Sequence, residues 1–302
     1  MPYESRPMAR FQLTCLALVS TLASRPLPAQ RAVEIRRAVT STASIRISGA
    51  FAELRIHGWK KDSAVITGSI PNDARFDGGF ITSTTLSTGA KYYLETATGV
   101  PSGKLDLYVP AGARIWAKSG SATIDVEGVT GGLDLNIIGG SVHVAGSPHE
   151  LTIESMDGAV TVDGSPSWAR LKTASGDIAL TGGSDDAGLT TVSGTIHVTS
   201  GRFERARIES VTGAVDFAGD VERGGSIDID THSGAIDLRM PRSVPADFDI
   251  ASVAGTIENG ITKRPAVPGR EGRGQEIGFT TGGGGARIYV RSFKANIRLL
   301  PR

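Results

Sequence analysis

Short segments in which every second residue is apolar recur along most of the chain at a nearly constant distance. A typical unit opens with a small residue and continues with two aliphatic residues one position apart, as in Gly158, Val160 and Val162. Neighbouring units are 18 to 21 residues apart, except for a gap of 40 before the last one. Alternation with a period of two predicts β-strands that bury one face. The small residues that open the units are Gly103, Ala122, Gly140, Gly158, Gly176, Gly194, Gly213, Gly234, Gly255 and Ala295.

A second alternating segment precedes the small residue at a fixed offset and places pairs such as Leu151 and Ile153 on the inward face. One repeat is therefore two strands joined by a Ser/Thr-x-x-Gly bend. Ile137 in the hydroxyl column and Asn259 in an apolar column predict local departures from this pattern. The hydroxyl residues of the bends are Ser119, Ser155, Thr173, Thr191, Ser210, Thr231, Ser252 and Ser292.

The constant offsets favour a coiled stack over a series of antiparallel hairpins. Hairpins do not need the same residue class at the same place in every strand. Coils that lie on one another about 4.8 Å apart do need it, because equivalent side chains then form continuous columns. We predict an all-β, single-chain parallel β-solenoid with 18 to 21 residues per coil. The bend hydroxyls are expected to bond backbone groups or one another, and the glycines to adopt backbone angles closed to other residues.

Residues 31–100 fit the period poorly, although they contain several strand-like segments. We predict that they form a β-rich N-terminal cap or irregular first coils, because the end of a solenoid exposes strand edges that need covering. Residues 101–302 are the solenoid repeats. Residues 262–276, rich in Pro, Gly and Arg, are predicted to be a mobile loop inserted between the last two coils.

The N-terminus has the pattern of an export signal. Arg6 and Arg10 precede an apolar run over 11–23, which is too short for a permanent membrane span, and a cut near Gln30 fits. Residues 1–30 are therefore predicted to be a signal peptide. This interpretation makes the mature chain an exported protein without a transmembrane span, located in the periplasm, on the outer surface or outside the cell.

Composition and charge exclude several classes of function. The chain has 39 glycines and only 9 Phe, 3 Trp and 5 Tyr, which is typical of turn-rich β-structure with a core of small aliphatic side chains. Its one cysteine, Cys15, lies in the predicted signal peptide, so thiol chemistry and disulfides are not expected in the mature chain. The 32 basic and 31 acidic residues give a net charge of +1, which lacks the strongly basic character that nucleic-acid binding requires.

Three features of the repeats are similar to the bacterial family of exported β-solenoid proteins that is named putative adhesin. They are the Ser/Thr-x-x-Gly-x-Ile-x-Val units, the segment Leu107–Pro110 before them, and the ending from Gly282–Gly285 to Ile297–Leu299. The resemblance covers roughly residues 35–302. It implies a right-handed, β-helix-like stack at the cell envelope, and it supplies no catalytic residues.

The outward positions between the paired aliphatic residues form a column that contains the strongest candidates for chemistry. Asp216, Asp237 and Glu258 at its end would suit a cation site or the acid and base of a β-helix lyase or hydrolase. A solvated charged face is the simpler interpretation, and we prefer it. The column consists of Asp106, Asp125, His143, Thr161, Ala179, His197, Asp216, Asp237 and Glu258.

The other candidates are weaker. Asp228, Asp230 and Asp249 are expected on the second face, near Arg207 and Glu209, without the repeated Gly-Gly-x-Gly-x-Asp pattern of calcium-binding coils. The histidines at positions 57, 143, 149, 197 and 232 lack zinc spacing. The four glycines at 282–285 are predicted to form a tight turn, because no Lys-Ser/Thr follows them as in a phosphate loop. The sequence thus predicts no catalytic residue, metal ligand or cofactor.

These features favour a non-enzymatic envelope or cell-surface protein, an adhesin or scaffold whose flat β-faces bind a surface protein or a polysaccharide. Two alternatives stay open. One is a β-helix carbohydrate-active enzyme, and the other is an assembly role in which the end coil pairs with another chain by strand addition. The sequence does not fix the oligomeric state.

Overall fold

The computed structural model describes residues 29–84, 87–97, 99–269 and 272–302. Within these ranges the chain forms β-strands and no α-helix. The predicted signal peptide falls almost wholly on residues 1–28, outside the described residues.

The first seven strands belong to the region before the regular repeats and to its boundary with them. Their bounds are β1 (Gln30–Ala38), β2 (Ser44–Gly49), β3 (Phe51–Trp59), β4 (Ser63–Pro71), β5 (Arg75–Thr84), β6 (Ser87–Glu95) and β7 (Gly103–Pro110).

The remaining strands form the repeats and the C-terminal end. They are β8 (Arg114–Glu127), β9 (Gly132–Ala145), β10 (Glu150–Ser155), β11 (Ala159–Asp163), β12 (Trp168–Thr173), β13 (Ile178–Thr181), β14 (Ser184–Thr191), β15 (Ile196–Ser210), β16 (Val215–Thr231), β17 (Ile236–Met240), β18 (Ala246–Ser252), β19 (Ile257–Asn259), β20 (Val267–Pro268), β21 (Gln275–Thr281), β22 (Ala286–Ser292) and β23 (Ile297–Pro301).

The strands line two faces of the stack, and the long strands β8, β9, β15 and β16 contribute to both. We name the faces sheet I and sheet II. Sheet I has the order β1, β4, β7, β3, β8, β9, β11, β13, β15, β16, β17, β23, β19. Sheet II has the order β5, β6, β2, β8, β9, β10, β12, β14, β15, β16, β22, β18, β21, β20.

The repeats pair in parallel and in register, which confirms the predicted all-β parallel solenoid. One buried column on sheet II runs through Leu135, Ile153, Leu171, Leu189 and Ile208, each at most 1% exposed. Each such side chain contributes roughly 1.5–3 kcal/mol when fully buried. Stability is therefore spread along the stack instead of being concentrated in one centre.

Antiparallel strands occur only at the two ends of the described stack. At the first end β1 and β4 extend sheet I, and β5 and β6 form a hairpin on sheet II. At the other end β21 covers β18, and the short β20 covers β21. The four glycines at 282–285 all have positive φ, between 56° and 134°, and form the tight turn that was predicted before β22.

The spatial order of the coils differs from the order along the chain at both ends. The coil of β22 and β23 lies between the coil of β16 and β17 and the coil of β18 and β19. In the same way, β2 lies between β6 and β8 on sheet II, and β3 lies between β7 and β8 on sheet I. The last strand in sequence, β23, is therefore an interior strand, so strand addition to another chain cannot take place at β23.

The bend glycines serve close approach of the coils and not, in general, unusual backbone angles. Gly140 has a φ of 97°, but Gly176, Gly194 and Gly213 lie outside the positive region. A β-carbon at Gly194 would lie 2.1 Å from the carbonyl oxygen of Gly176 in the coil before it. The expectation that these glycines adopt angles closed to other residues is therefore wrong at most bends.

The bend hydroxyls bond backbone carbonyls and one another, as predicted. The Thr231 hydroxyl donates to the Gly234 carbonyl at 2.8 Å and lies 3.2 Å from the Ser292 hydroxyl. Thr173 makes the same kind of contacts, with Gly176 at 2.6 Å. Ile137 takes the place of a hydroxyl and is buried against the next bend.

Replacing Thr231 with valine is expected to lower the free energy of unfolding by about 1–3 kcal/mol, because a buried carbonyl loses its donor while the shape is kept. The measurement is urea denaturation followed by far-UV circular dichroism. Ser193→Ala is the matched control, since its hydroxyl is exposed and lies 3.4 Å from the carbonyl of Ala174. Equal loss in both variants would contradict a special role for the buried hydroxyl column.

Candidate binding faces

The outward column of sheet I contains the acidic and histidine residues that the sequence singles out, with two arginines added. Arg55 comes from the coil of β2 and β3, and Arg298 comes from the coil of β22 and β23. Each arginine lies between two acidic residues that would be neighbours if the repeats stacked in chain order. The order along the stack is Asp106, Arg55, Asp125, His143, Thr161, Ala179, His197, Asp216, Asp237, Arg298 and Glu258.

Arginines hold the carboxylates at the C-terminal end of this column. Arg298 Nε donates to Asp237 Oδ1 at 2.7 Å, and Arg239 bonds both Asp216 and Asp237. The hydrogen bond from Arg298 to Asp237, with the attraction of that charge, raises the pKa of Arg298 above its ordinary value. These contacts make the carboxylates of Asp216 and Asp237 ion-pair partners of arginines.

Asp228, Asp230 and Asp249, the acidic residues expected on the second face, also do not form one cluster. In the outward column of sheet II, Tyr289 lies between Asp228 and Asp249. Arg291 is the register partner of Asp230, and its Nη2 lies 3.0 Å from Asp249 Oδ1. Among the described residues, no group of three His, Cys, Asp or Glu side chains is placed to hold a metal ion.

Two histidines on sheet I, His57 and His143, each lie between two carboxylates, and the second partner of His57 is Asp106 at 3.5 Å. His57 Nδ1 lies 2.6 Å from Glu127 Oε1. The ring of His143 lies between Asp125, at 3.7 Å, and Asp163, at 3.0 Å. These are exposed or half-exposed contacts of a charged face, so they add no catalytic arrangement to the column.

Trp116, which sequence reasoning missed, is shared by three adjoining grooves on sheet II. It lies on the outward side of β8 between Arg46 of β2 and Asp134 of β9. The grooves have volumes of about 860, 420 and 450 Å³. Their other polar and aromatic walls include Lys91, Tyr93, Arg114, Lys118, Asn136 and Glu150.

The surroundings of Trp116 combine an aromatic surface with polar groups of both signs. Asn136 Nδ2 donates to Asp134 Oδ1 at 2.6 Å, which fixes one polar edge. The side chains of Arg46 and Lys118, in contrast, make no hydrogen bond or ion pair with any residue that the structure describes. Their charged groups are available to a ligand that lies on the indole.

Trp168, on the same sheet, shows what is distinctive about Trp116. The guanidinium of Arg170 lies 4.3 Å from the Trp168 ring centre and covers that ring. Trp116 has no such cation and no stacked ring among the described residues. The alternation of the strand could have revealed Trp116 in the sequence. Ile115 and Ala117 point inward, so the aromatic residue between them must point outward.

The chain matches the model of the family described as Toastrack DUF4097 over residues 39–267. Since this match spans more than half of the chain, the protein belongs to that family. The resemblance that the repeats indicate is thereby confirmed.

Three of the solved structures to which this chain is similar are each 12% identical to it. One is described as a putative adhesin from Bacteroides fragilis NCTC 9343, with a TM-score of 0.45 over 90% of this chain and 99% of that chain. Another, from Parabacteroides distasonis ATCC 8503, is described as a putative lipid binding protein, with a TM-score of 0.45 over 90% and 96%. A third, from the same organism, is described as a putative adhesin, with a TM-score of 0.43 over 89% and 97%.

The comparison with curated proteins gives no match. In the part of the chain that the structure describes, no helix has the length and apolar character needed to cross a membrane.

Proposed function

We propose that this chain is a non-enzymatic, exported adhesion protein that binds acidic polysaccharide on sheet II around Trp116. The observation that carries the proposal is the meeting of three grooves at one half-buried indole ring that no cation or second ring of the described residues stacks on. The N-terminal signal pattern supports export to the periplasm, the outer surface or the medium.

The chemistry of the grooves suits a sugar chain. A sugar ring has an apolar C–H face, which packs on an indole, and hydroxyl groups at its edge, which need polar partners. Asn136, Asp134 and Glu150 offer such partners around Trp116. The free cations Arg46 and Lys118 favour a ligand that carries carboxylate or sulfate groups.

Trp116→Ala is expected to lower the affinity for an acidic polysaccharide at least tenfold, because the stacking surface is lost while the polar groups remain. Titration calorimetry against acidic and neutral polysaccharides measures this. Trp168→Ala is the matched control on the same sheet, and it is expected to bind like the wild type. An affinity unchanged by Trp116→Ala, with thermal unfolding also unchanged, would overturn the proposed site.

The same samples test the alternative of a carbohydrate-active enzyme. Since Asp216 and Asp237 are held by Arg239 and Arg298, we expect no new reducing or unsaturated ends after incubation with polysaccharide, with or without calcium. Turnover that disappears in Asp216→Asn and Asp237→Asn variants would contradict the non-enzymatic proposal.

A further inference from the structure

From Ile137 onward, the residue after each position of the bend hydroxyl column belongs to an exposed and mainly apolar column, which we name the bend stripe. Its backbone continues the ladder between coils, for example from Asp157 N to Ile138 O at 2.8 Å and from Thr212 N to Val192 O at 2.8 Å. With about 4.8 Å between coils, the eight members span roughly 34 Å. They are Ile138, Met156, Ala174, Val192, Val211, His232, Phe293 and Val253, in spatial order.

The bend stripe is unusual for a water-exposed surface. Six of its members are large apolar residues that are 45–56% exposed. The inward columns explain the aliphatic residues of the core, but nothing in the coil geometry requires apolar residues at this outward position. A continuous exposed apolar row is typical of an interaction surface.

We propose that the bend stripe binds a second copy of this chain, with the two stripes antiparallel and their two-fold axis between Val192 and Val211. In this arrangement Met156 meets Phe293, Ala174 meets His232, and Ile138 meets Val253. Each of the first two pairs sets a smaller side chain against a ring, and the third joins two aliphatic side chains. A two-fold axis makes every contact occur twice.

The charges beside the stripe supply the argument for this partner. The column two positions before the stripe places Lys172 opposite Asp230 of the second copy. The column one position after it places Asp157 opposite Lys294. All four side chains are exposed, and both contacts join opposite charges. In the first column, Glu154 also faces Arg291.

Other alignments of two stripes lack this complementarity. A parallel pairing brings each coil against itself and sets Glu154 against Asp157 and Arg291 against Lys294. Shifting the antiparallel axis by half a coil, onto Val192, brings Glu154 against Asp230. Shifting it the other way, onto Val211, brings Glu209 against itself and Lys172 against Arg291. Like charges placed opposite one another oppose association, so the charge pattern selects one register.

Charge reversal tests the register. Lys172→Glu and Asp230→Lys are each expected to weaken the dimer at least tenfold in sedimentation equilibrium, and the double variant is expected to restore it to within about threefold of wild type. Lys172 and Asp230 are exposed, so circular dichroism melts are expected to stay unchanged. Trp116→Ala, on the sheet face, is expected to leave association unchanged. A monomer at all concentrations, or a dimer affinity that is unchanged in all three charge variants, would overturn the proposal.

Cysteine cross-linking tests the alignment independently, in a Cys15→Ser background that leaves no other cysteine. A mixture of Ala174→Cys and His232→Cys chains is expected to form a disulfide-linked dimer on mild oxidation, because the two positions face each other. Ala174→Cys alone is expected to stay unlinked, since its own copies lie about three coils, roughly 14 Å, apart, beyond the reach of a disulfide. Cross-linking of Ala174→Cys alone would overturn the proposed register.

Discussion

Replacing Gly194 with alanine is expected to lower the free energy of unfolding by about 3 kcal/mol or more. The added β-carbon would lie 2.1 Å from the carbonyl oxygen of Gly176, which belongs to the backbone of the preceding coil. A flexible side chain would move aside at small cost, but this oxygen is fixed by the parallel ladder on both sides of the bend. The coils must therefore separate or lose hydrogen bonds.

Gly120→Ala is the matched control, because Gly120 lies at a bend with no atom within 4 Å of its added β-carbon. Its unfolding in urea is expected to differ from wild type by less than about 0.5 kcal/mol. If the two variants lose equal stability, close approach of the coils is not the reason for the glycine column.

The regular part of the solenoid was predictable from the sequence because its geometry repeats. Each coil places an equivalent residue beside its neighbour, so a constant offset in sequence becomes a register in space. Leu151 and Leu133 are register partners for this reason, and so are Val160 and Val142. The bend hydroxyls were predictable on the same ground, since Thr173 and Thr191 occupy one column and their hydroxyl oxygens lie 3.0 Å apart.

The reason for the glycine column was not predictable from a single repeat. Within one coil, glycine at a bend has the usual explanation of an unusual backbone angle. The actual constraint at Gly194 comes from the neighbouring coil, and its size depends on how closely two backbones approach. Local sequence carries no measure of that distance.

The binding faces were missed for a related reason. The sequence shows that Trp116 points outward, but the grooves around it need Arg46, which comes from a coil that is out of order. The bend stripe, in contrast, was present in the sequence as a fixed offset. This offset is the first of the two positions between the bend hydroxyl and the bend glycine.

The out-of-order coils separate two pairs of like charges on sheet I, while Asp216 and Asp237 stay side by side and are bridged by Arg239. If the repeats stacked in chain order, Asp237 would lie directly beside Glu258, and Asp106 beside Asp125. The coil of β22 and β23 instead places Arg298 between the first two, and the coil of β2 and β3 places Arg55 between the second two. Like charges directly opposite one another destabilise neighbouring strands, and opposite charges stabilise them.

Deletion of residues 286–302 is therefore expected to unfold more than the deleted coil. In a solenoid whose coils follow chain order, loss of the last coil trims one end and leaves the next coil as the new end. Here β18 and β19 lose the strands that hold them to the rest of the stack. Direct contact with β16 and β17 would bring Asp228 against Asp249 and Asp237 against Glu258, so re-docking is opposed by charge.

We expect the amides of β18, β19 and β21 to lose protection by orders of magnitude in hydrogen exchange, while β10 to β13 keep theirs. Deletion of Pro301 and Arg302 alone is the control, because it removes only the last residue of β23 and the Arg302–Asp220 ion pair and leaves Arg298 and the rest of the inserted strands in place. Full protection of β18 in the longer deletion would mean that the end coil docks without the inserted one, and it would contradict the role assigned here to Arg298 and its coil.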